Sequence, residues 1–297
     1  MVGFGQSAGG AGGAGISTGT LRDFAPHRAS ILDHHRLVLV TKGHGTYEVD
    51  FEVFQCRPGS LFWSRPGQLV RPGGQPGLDA TLVCWTPGPD LPDGGPTHRQ
   101  LAGEDEDAVI NEVSQLVVDC ERELSPELLR QQLATLLLRI RLLGPQPTEG
   151  VQPQEIPPGT PEVETFTRFQ DDLERRYAHT RRVEDYADGL GCCVRTLTRA
   201  SLAATGRSAK QVIDDRVTLE AKRLLAGTDL PVAEVGRRLG FPEPTNFGRF
   251  FQREVGQSPG AFRAATTATG QDEAGGGRAH VPAPRPPLDP VPGFVQA

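Results

Sequence analysis

Two short clusters in the last third of the chain carry hydrogen-bonding groups at helical spacing: Arg195, Thr198 and Arg199, then Thr245, Asn246 and Arg249. Residues three and four apart share one face of a helix. An arginine guanidinium can donate two parallel hydrogen bonds to a guanine edge. An asparagine amide pairs with adenine in the same two-point way, and a threonine methyl packs on thymine. A helix face bearing these groups suits the DNA major groove. For Arg199 and Arg249 the alternatives are contact with backbone phosphates or an ion pair inside the domain. Leu197 and Phe247 fall on the opposite faces and are expected in the core.

Each cluster needs an element to hold it, and the flanking sequence supplies the same one twice, about fifty residues apart. Val183-x-x-Tyr186-Ala187-x-x-Leu190-Gly191 precedes Arg195-x-Leu197-x-Arg199. Val232-x-x-Val235-Gly236-x-x-Leu239-Gly240-Phe241 precedes Thr245-x-Phe247-x-Arg249. Each copy is a short apolar-periodic helix, a glycine turn and a second helix with an exposed arginine, the layout of a helix-turn-helix. Two such units on one chain can enter successive grooves without a dimer. Between them the capping box Ser208-x-x-Gln211 opens a connecting helix to Ala226, with Val212, Val217, Leu219, Leu224 and Leu225 on its packing face. A rigid connector would set the two reading helices ~34 Å apart, one turn of DNA.

An opening helix over 162–177 places Phe166, Phe169 and Leu173 on one face, and Ser258-Pro259 opens a final short helix. Gly206, Gly227, Gly240 and Gly256 stand where helix ends need a left-handed residue.

The formal net charge of −6 argues against nucleic acid until it is divided along the chain. Arg175 to Arg263 holds 16 Lys or Arg against 10 Asp or Glu, a net +6, and the remainder is −12. The basic stretch coincides with the repeat, so phosphate attraction acts where the reading groups lie.

Upstream the pattern changes. Short β-type runs at 37–40, 46–49, 53–56, 60–63 and 80–85 alternate with the turn residues Gly43, Gly45, Pro58-Gly59, Pro66-Gly67 and Pro72-Gly73-Gly74. This predicts a small β-barrel or jelly roll. Helical periodicity begins near Glu104, and Ser125-Pro126 starts a second helix. There Leu129, Leu133, Leu136, Ile140 and Leu143 form a two-heptad seam. The seam fits a dimer interface and packing against the barrel equally well.

The chain is thus expected to be α+β: a flexible leader (1–20), a barrel with two helices (21–143), a Pro-rich linker (144–161), an all-α double helix-turn-helix domain (162–265) and a disordered tail (266–297). Five cysteines without Cys-x-x-Cys spacing suit a reducing cytoplasm. The most apolar stretch, Leu133 to Leu143, is too short for a bilayer and is broken by Arg139 and Arg141.

With these motifs in order, the C-terminal part resembles the AraC/XylS family of transcriptional regulators. Leu239-Gly-Phe-Pro-Glu-Pro-Thr-Asn-Phe-Gly-Arg-Phe-Phe-Gln-Arg-Glu-Val-Gly-Gln-Ser-Pro-Gly-Ala-Phe-Arg263 is similar to the family signature. Leu190 to Arg199 resembles its first recognition helix, and Arg216 with Ala221-Lys-Arg-Leu-Leu225 its connecting helix. Gly43-x-Gly45, Val49-Asp50, Arg57-Pro58-Gly59 and Pro66-Gly67 resemble the turns of its cupin-type effector domain. Cys193 replaces the usual capping Ser, Gly236 the usual Ala, and Gly248 lies inside the second recognition helix. Each glycine is expected to cost ~1 kcal/mol of helix stability.

The resemblance implies a regulator and not an enzyme, with activation as the commoner mode. As partners it implies double-stranded DNA, a small-molecule effector, RNA polymerase and a second copy of the chain. His35, Arg36, Trp63 and Trp85 are candidates to line the effector pocket. No cofactor is expected: His34 and His35 are adjacent, Val70 stands where catalytic cupins place a later His, and His44 has no companion at ligand spacing.

Overall fold

Alternation along one strand, His35–Lys42, sorts its side chains between two separate cores. Leu37 and Leu39 enter one and Val38 and Val40 the other. Successive side chains of a strand point to opposite faces, so this strand lies at the centre of a layered structure.

The computed structural model describes residues 15–21, 29–73, 77–92, 94–143 and 160–272. The strands are β1 (Ile16–Thr20), β2 (Ser30–Ile31), β3 (His35–Lys42), β4 (Gly45–Val49), β5 (Glu52–Cys56), β6 (Ser60–Ser64), β7 (Leu69–Pro72), β8 (Asp79–Trp85) and β9 (His98–Gln100). They form two sheets, of order β1-β8-β3-β6-β9 and β2-β7-β4-β5. Every pairing between them is antiparallel. Between the sheets lie Val38, Val40, Tyr47, Val49, Phe62, Val70 and Leu82.

The outer face of the five-stranded sheet is covered by α1 (Glu104–Glu121) and α2 (Pro126–Leu142). Ser125 caps α2 by accepting a hydrogen bond from the Leu128 N–H, with proline at the first helical position. Leu129, Leu133, Leu136 and Ile140 are fully buried against Leu37, Leu39, Trp63 and Val83, and Leu143 packs on the same cluster. Leu129, Leu133, Leu136 and Ile140 of the two-heptad seam are thus used in packing against the barrel.

The C-terminal part is helical: α3 (Pro161–Arg176), α4 (Val183–Gly189), α5 (Val194–Thr205), α6 (Ala209–Gly227), α7 (Val232–Arg238), α8 (Pro244–Val255) and α9 (Pro259–Asp272). It has two cores. Phe166, Phe169, Leu173, Tyr186, Ala187 and Leu197 surround the first unit, and Val235, Leu239, Phe241, Phe247, Phe250 and Phe251 the second. The connecting helix α6 feeds both, Ala209 and Ile213 entering the first core and Val217, Ala221 and Leu225 the second. Its capping box is formed in both directions by Ser208 and Gln211. Of the packing face expected from sequence, Val217 and Leu225 are buried, while Leu219 is only half-buried.

Three expectations need correction. Ile16–Thr20, assigned to the leader, is an edge strand paired with β8. The final helix continues to Asp272, into what was expected to be tail. Gly206, Gly240 and Gly256 have the expected positive φ, but Gly227 does not and remains within α6. A Cβ on Gly227 would lie 2.6 Å from the Ile31 side chain and 2.9 Å from that of Leu69, so glycine is required there by contact with the β-domain. The linker 144–159 and the ends at 1–14 and 273–297 lie outside the described residues.

Candidate nucleic-acid interface

Each predicted reading face is held by a buried anchor one residue away. Leu197 fills the first core and Phe247 the second, both with no exposed surface. With those anchors inward, Arg195 and Arg199 are exposed on α5 and Thr198 is half-buried beside them. On α8, Thr245, Asn246 and Arg249 are all exposed within the first turn and a half. The structure thus brings each predicted triplet together on the outer side of its own helix. Arg249 makes no ion pair among the described residues, whereas Arg199 Nη2 lies 3.2 Å from Glu162 Oε1 on α3.

The glycine turns are built as expected. Gly191 and Gly240 have φ of 67° and 73°, and each lets the chain reverse between the two helices of its unit. Gly236 is more than a weak helix former. A Cβ there would lie 2.9 Å from the Phe247 Cβ, so glycine lets α8 seat against α7. Gly248 has open space around it, and nothing in the structure explains its choice. Cys193 occupies the N-cap of α5 without a side-chain cap bond to the backbone. Its exposed thiol is 3.2 Å from the Thr196 hydroxyl, and that hydrogen bond draws the thiol below its ordinary pKa.

The four effector-pocket candidates are not gathered in one pocket. His35 stacks on Trp85 with centroids 5.1 Å apart and accepts a long hydrogen bond from Trp63 Nε1 at 3.4 Å. All three lie on the helix-covered face of the five-stranded sheet, nearly inaccessible to solvent. Arg36, one residue on, faces between the sheets, where its charge acts on Tyr47 and Cys84. Near it lie the buried Tyr47 and Ser64 hydroxyls, close enough for Ser64 and Arg36 to act on the phenol. Burial raises the Tyr47 phenol above its ordinary range, against the opposing pull of Arg36. The two hydroxyls beside a guanidinium form a polar group between the sheets, of which sequence reasoning named Arg36 but missed Tyr47 and Ser64. The period-2 alternation of β4 and β6 could have found it. No cluster of His, Cys, Asp and Glu able to hold a metal occurs among the described residues.

A contact between the halves also had no sequence signal. Asp50 and Phe51 at the tip of the β4–β5 hairpin both adopt positive φ, 51° and 72°, a conformation costly for phenylalanine. There Asp50 accepts two hydrogen bonds of 2.7 Å from Arg223 on α6, and Phe51 packs on Phe262 of α9. Asp50 also accepts from the Leu69 N–H and from Gln68. Burial alone would raise the Asp50 carboxyl, but the hydrogen bonds and charge of Arg223 outweigh it and hold it low.

Comparison with known proteins agrees with both halves. A family profile described as a helix-turn-helix domain matches residues 186–265, and one described as an AraC-like ligand binding domain matches residues 11–81. The HTH-type transcriptional activator RhaR of Enterobacter sp. (strain 638) is 24% identical over 258 residues, covering 81% of this chain and 87% of that protein. The arabinose operon regulatory protein of Escherichia coli (strain K12) is 45% identical over 51 residues, 17% of each chain. Among solved structures, the DNA-binding domain of AdpA, a global transcriptional factor in complex with a target DNA, aligns at 33% identity. That alignment covers 37% of this chain and 95% of the other, with a TM-score of 0.32. Among the described residues no helix is long and apolar enough to cross a membrane.

Proposed function

Because this chain belongs to the AraC family of transcriptional regulators, DNA-binding proteins and not enzymes, we propose that it reads one bipartite operator with α5 and α8 and changes that binding when a small effector enters the β-domain. Arg195, Thr198 and Arg199 serve the first groove segment, and Thr245, Asn246 and Arg249 the second. The exposure of all but the half-buried Thr198 supports this assignment. The effector would sit between the sheets, against Arg36, Tyr47 and Ser64, which form a buried polar group there. The sealed packing of His35, Trp63 and Trp85 argues against a direct part for them.

The observation that carries the regulatory half of this reading is the Asp50–Arg223 pair. Arg223 is on the same helix that spaces the two reading helices, and Asp50 lies on the hairpin whose β4 also carries Tyr47. A ligand that shifts β4 therefore pulls directly on the connector. A second copy of the chain, if recruited, would meet the outward strip of Leu138 and Leu142, 48% and 84% exposed. With Thr135 and Arg139 that strip lines an open groove of about 400 Å³.

Thermal-shift screening of metabolites on the full chain finds the effector, because a ligand of the native state raises the melting temperature. The same ligand should alter operator affinity in the wild type and much less in Asp50→Ala. An equal response in both, or no ligand that raises the melting temperature, would count against regulation through this contact.

A further inference from the structure

The two helix-turn-helix units are joined by more than α6. Arg181, in the turn between α3 and α4, stacks its guanidinium 3.5 Å from the centroid of the Phe241 ring. It also donates through Nη1 to the Leu239 carbonyl at 3.4 Å. Leu239 caps the end of α7, so Arg181 serves a carbonyl that the helix leaves open and places positive charge at its negative pole. Close by, Gly240 has positive φ and sits so near the Ala178 carbonyl that a Cβ could not be accommodated. Tyr177 packs on both helical cores. The segment 177–181 of the first unit is thus pressed on the turn of the second.

Among the described residues, the other element that enters both cores is α6. A single helix of 19 residues is a lever about 28 Å long, and small bends in it displace its ends. A second attachment closes a ring from α3 through α6 and α7 back to 177–181, and a closed ring fixes the angle between its members. Arg181 is half-buried and directed at Phe241 of the second unit, unlike the exposed arginines of the reading helices. We infer that Arg181 is a positioning residue that sets the distance and angle between α5 and α8, and thereby the spacing between half-elements that the protein accepts in DNA. The inference rests on the two-groove reading above.

The test uses the full chain and a bipartite site selected from random-sequence duplex DNA. Spacer variants with one or two base pairs added or removed are then compared with the selected spacing. The wild type should lose tenfold or more in affinity for each altered spacer. Arg181→Ala should cut that contrast at least threefold, while binding each isolated half-element as the wild type does. Arg181→Lys, which keeps the charge but not the planar stack, should fall between them. If Arg181→Ala fails to give a cooperative melt, Phe241→Leu removes the ring face under the guanidinium and must relax spacing in the same way. Unchanged spacing contrast in the folded variants, or equal loss on isolated half-elements, overturns the inference. Failure of the wild type to select any bipartite site would instead overturn the two-groove reading itself.

Discussion

Glu162, in the first turn of α3, holds Arg199 of α5 at 3.2 Å, and Arg249 of α8 has no such partner among the described residues. The two arginines correspond in the repeat but not in their freedom. Arg249 can meet DNA at no internal cost, while Arg199 must first leave a carboxylate. Both members of that pair are substantially solvated, 68% and 31% exposed, so the restraint is worth about 0.2–1 kcal/mol at most.

Arg249→Ala should weaken specific operator binding by about 1–3 kcal/mol with the fold intact and relax preference at one position. Glu162→Gln should strengthen binding slightly, and the gain should vanish in an Arg199→Ala background. Gel-shift titrations on selected and scrambled sites check both. Unchanged site preference in Arg249→Ala would remove that residue from the reading face.

Replacing Asp50 leaves Arg223 buried, with Glu220 at 3.2 Å as its remaining carboxylate. Asp50→Asn should therefore destabilise the full chain by about 2–3 kcal/mol near neutral pH, on the low side for a broken buried pair. The pH dependence has a fixed sign. A carboxyl held low in the folded protein adds stability above its unfolded pKa of about 3.9, and that stability is lost as pH falls through the folded value. Melting temperatures of wild type and variant should stay separated from pH 7 to pH 5 and converge below about pH 4. A gap constant to low pH would show that the ionised pair is not the source.

Three substitutions near the reading helices separate local cost from packing need. Cys193→Ser should stabilise by about 0.5–1 kcal/mol, since a hydroxyl caps a helix better than a thiol. Gly248→Ala, with open space around it, should gain about 1 kcal/mol of helix stability. Gly236→Ala should do the reverse, because its methyl meets Phe247. Chemical denaturation measures all three. Equal effects at the two glycines would contradict the close seating of α8 on α7.

The C-terminal half was largely legible because its information is local. Apolar spacing, the Ser208–Gln211 box and the turn glycines each act within one or two helical turns, and the structure keeps them except at Gly227 and Leu219. What the sequence hid was long-range. Nothing in the local pattern marks Asp50 as the partner of Arg223, 173 residues away, or Arg181 as the neighbour of Phe241. The seam from Leu129 to Leu143 was ambiguous for a related reason: apolar spacing shows that a face is buried but not against what. His35 and Arg36 were grouped as neighbours in sequence, but adjacent positions on a strand send their side chains to opposite faces.

Footprinting of the full chain on its selected site tests the central claim most directly. Two protected major-groove segments on one face of the duplex, about ten base pairs apart centre to centre, are expected from one protein molecule. Protection of a single segment, or none that survives random-sequence competitor, would contradict it.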